Sequence, residues 1–201
     1  DVYKRQEQIT RTSNDLARRL VMAIPYLKYT DKDSDLVAKF SSAPSASQTP
    51  MSVHAFIASI EQQPIPAQIQ ILSAAWQDER WHDPRDRLVL SEFLLTKDPV
   101  NMQALFEQGS ARLALGQAQA SLAVADRALA LDDSDPEIQF LKGRALLQLN
   151  QPMQATLPML KAAGTQTPKA VYFTALGLAY NQIGQHEFAL AALTRSLTLE
   201  P

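Results

Sequence analysis

The chain has 201 residues, 46% of them apolar and 20% charged, with a net charge of −2 and a pI of about 5.9. That balance can supply a core, and it excludes both a wholly disordered chain and a strongly basic nucleic-acid footprint. The absence of cysteine excludes disulfides, thiol catalysis and thiolate-bound zinc and fits cytosol or periplasm equally, while no apolar run reaches the roughly 18 residues that a membrane-spanning helix needs.

In chain order, Asp1–Gln6 (DVYKRQ) resembles an adapter scar and carries no functional weight. Residues 1–40 are expected to form an N-terminal helical arm, because Ile9, Leu16, Leu20 and Ala23 share one side of a helix between Gln6 and Ile24. Lys4, Arg5, Arg11, Arg18 and Arg19 make that helix locally basic, which reads as a solvated face before it reads as a membrane-surface one. Residues 41–52, built on the Ser/Pro/Ala-rich stretch Ser41–Pro50, are expected to be a flexible linker. Val53–Gln62 is a predicted helix burying Ala55, Phe56, Ile57 and Ile60. With Pro64 and Pro66 it forms a capping segment, residues 53–67, ahead of a regular array.

The array announces itself by its period. Leu115-Gly116-Gln117, Leu149-Asn150-Gln151 and Ile183-Gly184-Gln185 start 34 residues apart, and Gly109, Gly143 and Gly177 keep the same interval. Such a period marks stacked helix–turn–helix units. In the last unit, residues 170–201, Phe173, Leu176, Gly177, Tyr180 and Ile183 line one helix face. Gly184 then stops that helix, since glycine takes a left-handed cap at least cost. A second helix places Ala189, Leu190, Leu193 and Leu197 on one side, and Pro201 ends it.

The middle unit, residues 136–169, carries Pro158 inside its second helix, which predicts a kink or an early stop. The unit before it, 102–135, closes on Asp135-Pro136, a helix cap followed by a first-turn proline. Residues 68–101 form a degenerate unit: Ile71, Ala75 and Pro99 stay in phase, and Trp81–Pro84 is the expected turn between its helices.

These residues resemble the tetratricopeptide repeat (TPR) family. Phe173, Leu176, Gly177, Tyr180, Gly184, Ala189 and Pro201 stand where that family's 34-residue unit has its signature; Leu193 and Ser196 are mild departures. The resemblance covers Pro66–Pro201 and implies an all-α fold: a right-handed solenoid of TPR helix hairpins behind the N-terminal arm. It also implies a scaffold or adaptor that binds a protein or peptide partner in a concave groove without catalysis. The Ala/Leu/Gln-rich repeats look bacterial and are similar to TPR proteins of pilus, secretion-system or envelope-complex assembly. The alternative is the TPR portion of a larger enzyme, such as a glycosyl- or sulfotransferase, whose catalytic domain lies beyond Pro201.

Carried over from the family, the groove positions are Leu72 and Trp76 in the degenerate unit, then Phe106, Ser110 and Leu113 in the next. Phe140, Arg144, Leu147 and Gln148 follow, then Thr174, Leu178, Asn181 and Gln182. The wall is mainly apolar and suits a helix or an extended peptide. Some members hold a chaperone's C-terminal carboxylate with Lys and Asn at two of these positions. The pairs here are Phe106/Ser110, Phe140/Arg144 and Thr174/Leu178, so that clamp and its ligand are not expected.

Nothing in the sequence asks for a cofactor, a metal or a catalytic residue. Asp78, Glu79, His82 and Asp83 cluster around Trp76 and Trp81. They read as a polar turn, because a working site needs groups converging from several elements. His54 and His186 are isolated, and neither a phosphate-binding glycine loop nor a Gly-x-Ser-x-Gly elbow is present.

Overall fold

The computed structural model describes residues 51–200; the predicted arm and most of the predicted linker lie outside them. Among the described residues there are nine α-helices and no strand. They are α1 (Val53–Ile60), α2 (Ile65–Ala75), α3 (Pro84–Lys97), α4 (Met102–Ala114), α5 (Ala118–Leu129), α6 (Pro136–Gln148), α7 (Pro152–Ala163), α8 (Ala170–Gln182) and α9 (His186–Leu199). A 3-10 turn, Glu79–Trp81, sits between α2 and α3.

Local chemistry sets the boundaries. The Asp135 carboxylate accepts from the backbone N–H groups of Glu137 at 2.8 Å and Ile138 at 3.1 Å, and Pro136 fills the first helical position. Asn101 and Asp83 cap α4 and α3 in the same way. Each cap satisfies amide donors that have no partner inside the helix.

The three helix ends are built alike. Gly116, Asn150 and Gly184 all have positive φ, at 79°, 58° and 80°. The Gly116 N–H donates to the Leu113 carbonyl and the Gln117 N–H to that of Arg112; the same two bonds recur at Asn150/Gln151 and at Gly184/Gln185. This double closure turns the chain back sharply, so α4 lies against α5, α6 against α7 and α8 against α9.

Consecutive hairpins then stack in order, with α5 on α6 and α7 on α8. Two core clusters run through the stack. One joins Leu105, Val124, Ala125, Ile138 and Leu141; the other joins Phe140, Met159, Ala162, Tyr172 and Leu176. The in-phase glycines let the helices approach. A Cβ on Gly143 would sit 2.5 Å from Met159 Cγ, and one on Gly177 would sit 2.7 Å from Leu193 Cγ. Over Gly109 the obstructing side chain is Leu141, from the following hairpin. Repeat one carries small Ala125 where repeat two carries Met159, and Leu141 where repeat three carries Ala175. The space over the glycine is filled from within the hairpin in one unit and from the next hairpin in the other.

Several sequence expectations need correction. Helix α7 continues past Pro158 to Ala163 without an early stop. Burial of Ala155, Met159 and Ala162 on both sides of the proline outweighs its cost of about 3 kcal/mol. Helix α1 turns Ile60, Phe56 and Ile57 inward as expected, but it buries Val53 and leaves Ala55 exposed. The connection in the degenerate unit is longer than Trp81–Pro84, because α2 already ends at Ala75. Leu197 is 40% exposed; α9 turns Ala189 and Leu193 inward as expected, joined by Ala192 and Ser196.

Candidate partner-binding wall

The first helices of the three regular hairpins, α4, α6 and α8, touch one another in sequence. Their 34-residue register aligns side chains in rows across them. One row is Phe106, Phe140, Thr174. The next is Ser110, Arg144, Leu178, and the third is Leu113, Leu147, Asn181. Gln148 and Gln182 lie at the end of the wall.

The predicted wall residues differ in access. Leu72, Trp76, Leu113 and Phe140 are buried, so their rings and branches serve the core. Phe106, Ser110, Leu147, Thr174, Leu178 and Asn181 are half-buried, and Arg144, Gln148 and Gln182 are exposed. The Thr174 hydroxyl pairs with that of Ser196 at 2.7 Å, and Ser196 also donates to the Ala170 carbonyl, which ties α8 to α9. Asn181 Oδ1 lies 3.1 Å from the His186 ring, so this histidine packs at the helix turn.

Phe140 lies against the Tyr172 ring at 5.0 Å between centroids, joining α6 to α8. The Arg144 guanidinium stands over the Phe140 ring, 5.5 Å from its centre. Arg144 is exposed to water, yet enough protein surrounds it to lower its proton affinity by desolvation; both hold for a group standing in a recess. Nearby, the Glu137 carboxylate accepts a hydrogen bond from Lys169. That bond raises the pKa of Lys169, and burial raises that of the Tyr172 phenol.

The acidic cluster around the tryptophans is used locally. Asp78 binds Arg80 through its side chain and backbone, which holds its carboxyl down at about 2. The His82 ring meets the Glu79 carbonyl at 2.7 Å, and Asp83 caps α3. Trp76 and Trp81 are buried, and Trp81 leans on Phe56 at 5.1 Å. Among the described residues no three His, Asp or Glu side chains gather as metal ligands, and no helix is long and apolar enough to cross a membrane.

Two features escaped the sequence. Arg87 donates to the carbonyls of Trp81 and Trp76 and to the Glu107 carboxylate at 2.8 Å, pinning the tryptophan turn to the first regular hairpin. On the opposite side, α7 exposes Met153, Leu157 and Leu160, at 73%, 63% and 45%. That stripe borders a cleft of about 500 Å³ between α5, α6 and α7, lined by Leu122, Leu129, Leu146 and the Asp126–Lys142 ion pair. The i, i+4, i+7 spacing of the stripe is visible in the sequence, but Leu and Met at such spacing ordinarily face a core.

No family model and no curated protein matches the sequence. Solved structures match the fold. A crystal structure of MamA superposes with a TM-score of 0.60 at 18% identity, covering 86% of this chain and 96% of that one. MamA from Desulfovibrio magneticus RS-1 gives 0.58 at 16% identity, over 96% of this chain and 95% of that one. A thermophilic TPR protein of Thermus thermophilus gives 0.56 at 16% identity, over 74% and 81%. Sequential hairpins, the glycine register and these superpositions together establish that the chain has the fold of a TPR protein.

Proposed function

We infer that this protein is a non-catalytic interaction scaffold, and that the wall formed by α4, α6 and α8 takes up a partner peptide or helix. The observation that carries this is that Phe106, Leu147 and Leu178 stand half-buried, one on the first helix of each of three consecutive hairpins. Apolar side chains left partly open on a rigid, curved array are suited to receive the apolar positions of another polypeptide. The fold class favours the same use, and a bacterial envelope or secretion assembly is the setting that the style of the repeats favours.

A second reading moves the contact to the outer face, favoured by the exposed stripe Met153, Leu157 and Leu160 beside its cleft. Site-specific photocrosslinking in the native host separates the two. A photoreactive residue at Leu147 or Leu178 should trap one protein repeatedly, and the same residue at Met153 should trap none. Trapping from Met153 alone would move the interface to the outer face. Trapping from none of the three would end the scaffold reading of both faces.

A further inference from the structure

Arg144 stands at the centre of the wall. Ser110 and Leu178 flank it along its row, with Phe106 and Phe140 on one side and Leu147 on the other. Its surroundings have already removed part of its hydration. A cation in that position is ordinarily paired with a carboxylate. Elsewhere on the array Arg112 pairs with Glu92, Lys142 with Asp126, Lys169 with Glu137 and Arg87 with Glu107. Among the described residues Arg144 has neither a carboxylate nor a hydrogen-bond acceptor; its one recorded contact is the face of Phe140.

That contact fixes the guanidinium without using its donors. Phe140 is 8% exposed and held by Tyr172, so the platform beneath the cation is rigid. A guanidinium over a ring keeps its N–H edge free, and that edge matches the two oxygens of a carboxylate. Such a cation, oriented in advance, loses little freedom when it binds.

We propose that Arg144 is a carboxylate receptor, so that the wall selects extended partner segments carrying an Asp or Glu side chain between apolar residues. This rests on the wall being the interface. The acid belongs inside the segment and not at a chain end, because half-buried Phe106 and Leu147 stand in the rows on either side of Arg144 and a terminus there would leave one of them uncovered. It also differs from a Lys/Asn clamp for a terminal carboxylate, whose residues are absent from this wall.

The test uses the full chain and two sets of short peptides with acetylated N-termini and amidated C-termini. One set has Asp or Glu at a fixed centre between randomised Leu, Ile, Phe and Tyr; the other has Asn or Gln at that centre. Binding is read by fluorescence anisotropy. The acidic set should bind roughly tenfold or more tightly than the amide set, the scale of a charge-assisted bond at a partly desolvated site. Arg144→Gln should erase the difference and keep the residual apolar binding. Arg144→Glu should shift the preference to a third set with Lys at the centre. Equal affinity for the acidic and amide sets, or a preference that survives Arg144→Gln, overturns the proposal while the wall remains an interface. If no set binds, the wall reading falls with it. Arg144 is exposed, so both variants should keep the helical circular dichroism of the parent, and a change there would show that the side chain is structural, overturning the receptor role.

Discussion

The two ends of the described chain are held together by different means. From α4 onward, stability is spread over many small contacts: capped turns, in-phase glycines and interleaved Ala, Leu and Met side chains. Before α4 it is concentrated in a few large ones. Trp76, Trp81 and Phe56 fill the space among α1, α2 and α3, and α2 and α3 pack less closely than the later hairpins. Among the described residues neither buried indole N–H group there has an acceptor. Arg87 ties the tryptophan turn to the array, beside the packing of α3 on α4 and the Arg112–Glu92 ion pair. Distributed packing tolerates the loss of any one contact; concentrated packing does not.

Substitutions can break that contrast. The largest effect is expected from Trp81→Ala, which should lower stability by about 4 kcal/mol in urea unfolding. It should speed amide hydrogen exchange in α1 and α2 while α6 to α9 keep their protection. If all helices lose protection together, the two ends form one cooperative unit and the contrast fails.

Next comes Arg87→Met, expected to cost about 3 kcal/mol by stranding the buried Glu107 carboxylate. Adding Glu107→Gln should recover a good part of the loss. Glu107→Gln alone has a pH signature. Burial raises the pKa of Glu107 above its ordinary value, against the pull of Arg87. The folded state therefore holds that proton more tightly than the unfolded one. The contribution of Glu107 is fully present below the ordinary glutamate pKa and is lost as pH rises through the raised one. The melting temperature of the parent relative to Glu107→Gln should fall across that window. A difference that stays flat would show that the pair is compensated.

Within the array, Gly143→Ala should cost about 2 kcal/mol through its clash with Met159, and pairing it with Met159→Ala should cost less than the two changes added. The smallest effect is Asn150→Gly, a gain of about 0.5 kcal/mol, because glycine accepts the positive φ more readily than asparagine. A loss there would mean that the asparagine side chain contributes to the turn.

What the sequence revealed follows the same divide. The turns at Gly116, Asn150 and Gly184 and the cap at Asp135 were legible, because each acts on backbone within a few residues of itself. In α1 to α3 the wide aromatic side chains reach across the chain, so the inward residue became Val53 where Ala55 was expected. Arg87 could not be recognised, since its partner Glu107 lies on another helix. Pro158 misled for a related reason: proline's local penalty is visible in a sequence, and the surrounding packing that overcomes it is not. Family register placed Phe140 on the open wall, but register fixes direction more closely than depth, and Tyr172 closes over that ring.

The filling of space above the glycines limits how this array could have grown. Copying the hairpin α6–α7 in tandem would set a methionine and a leucine over the same glycine, while copying α4–α5 would put the copy of Glu107 where Leu141 packs over Gly109. Neither duplicate is neutral, since crowding and a carboxylate in an apolar contact both lower stability. The hairpins are alike in outline but not interchangeable, and each identifies its proper successor.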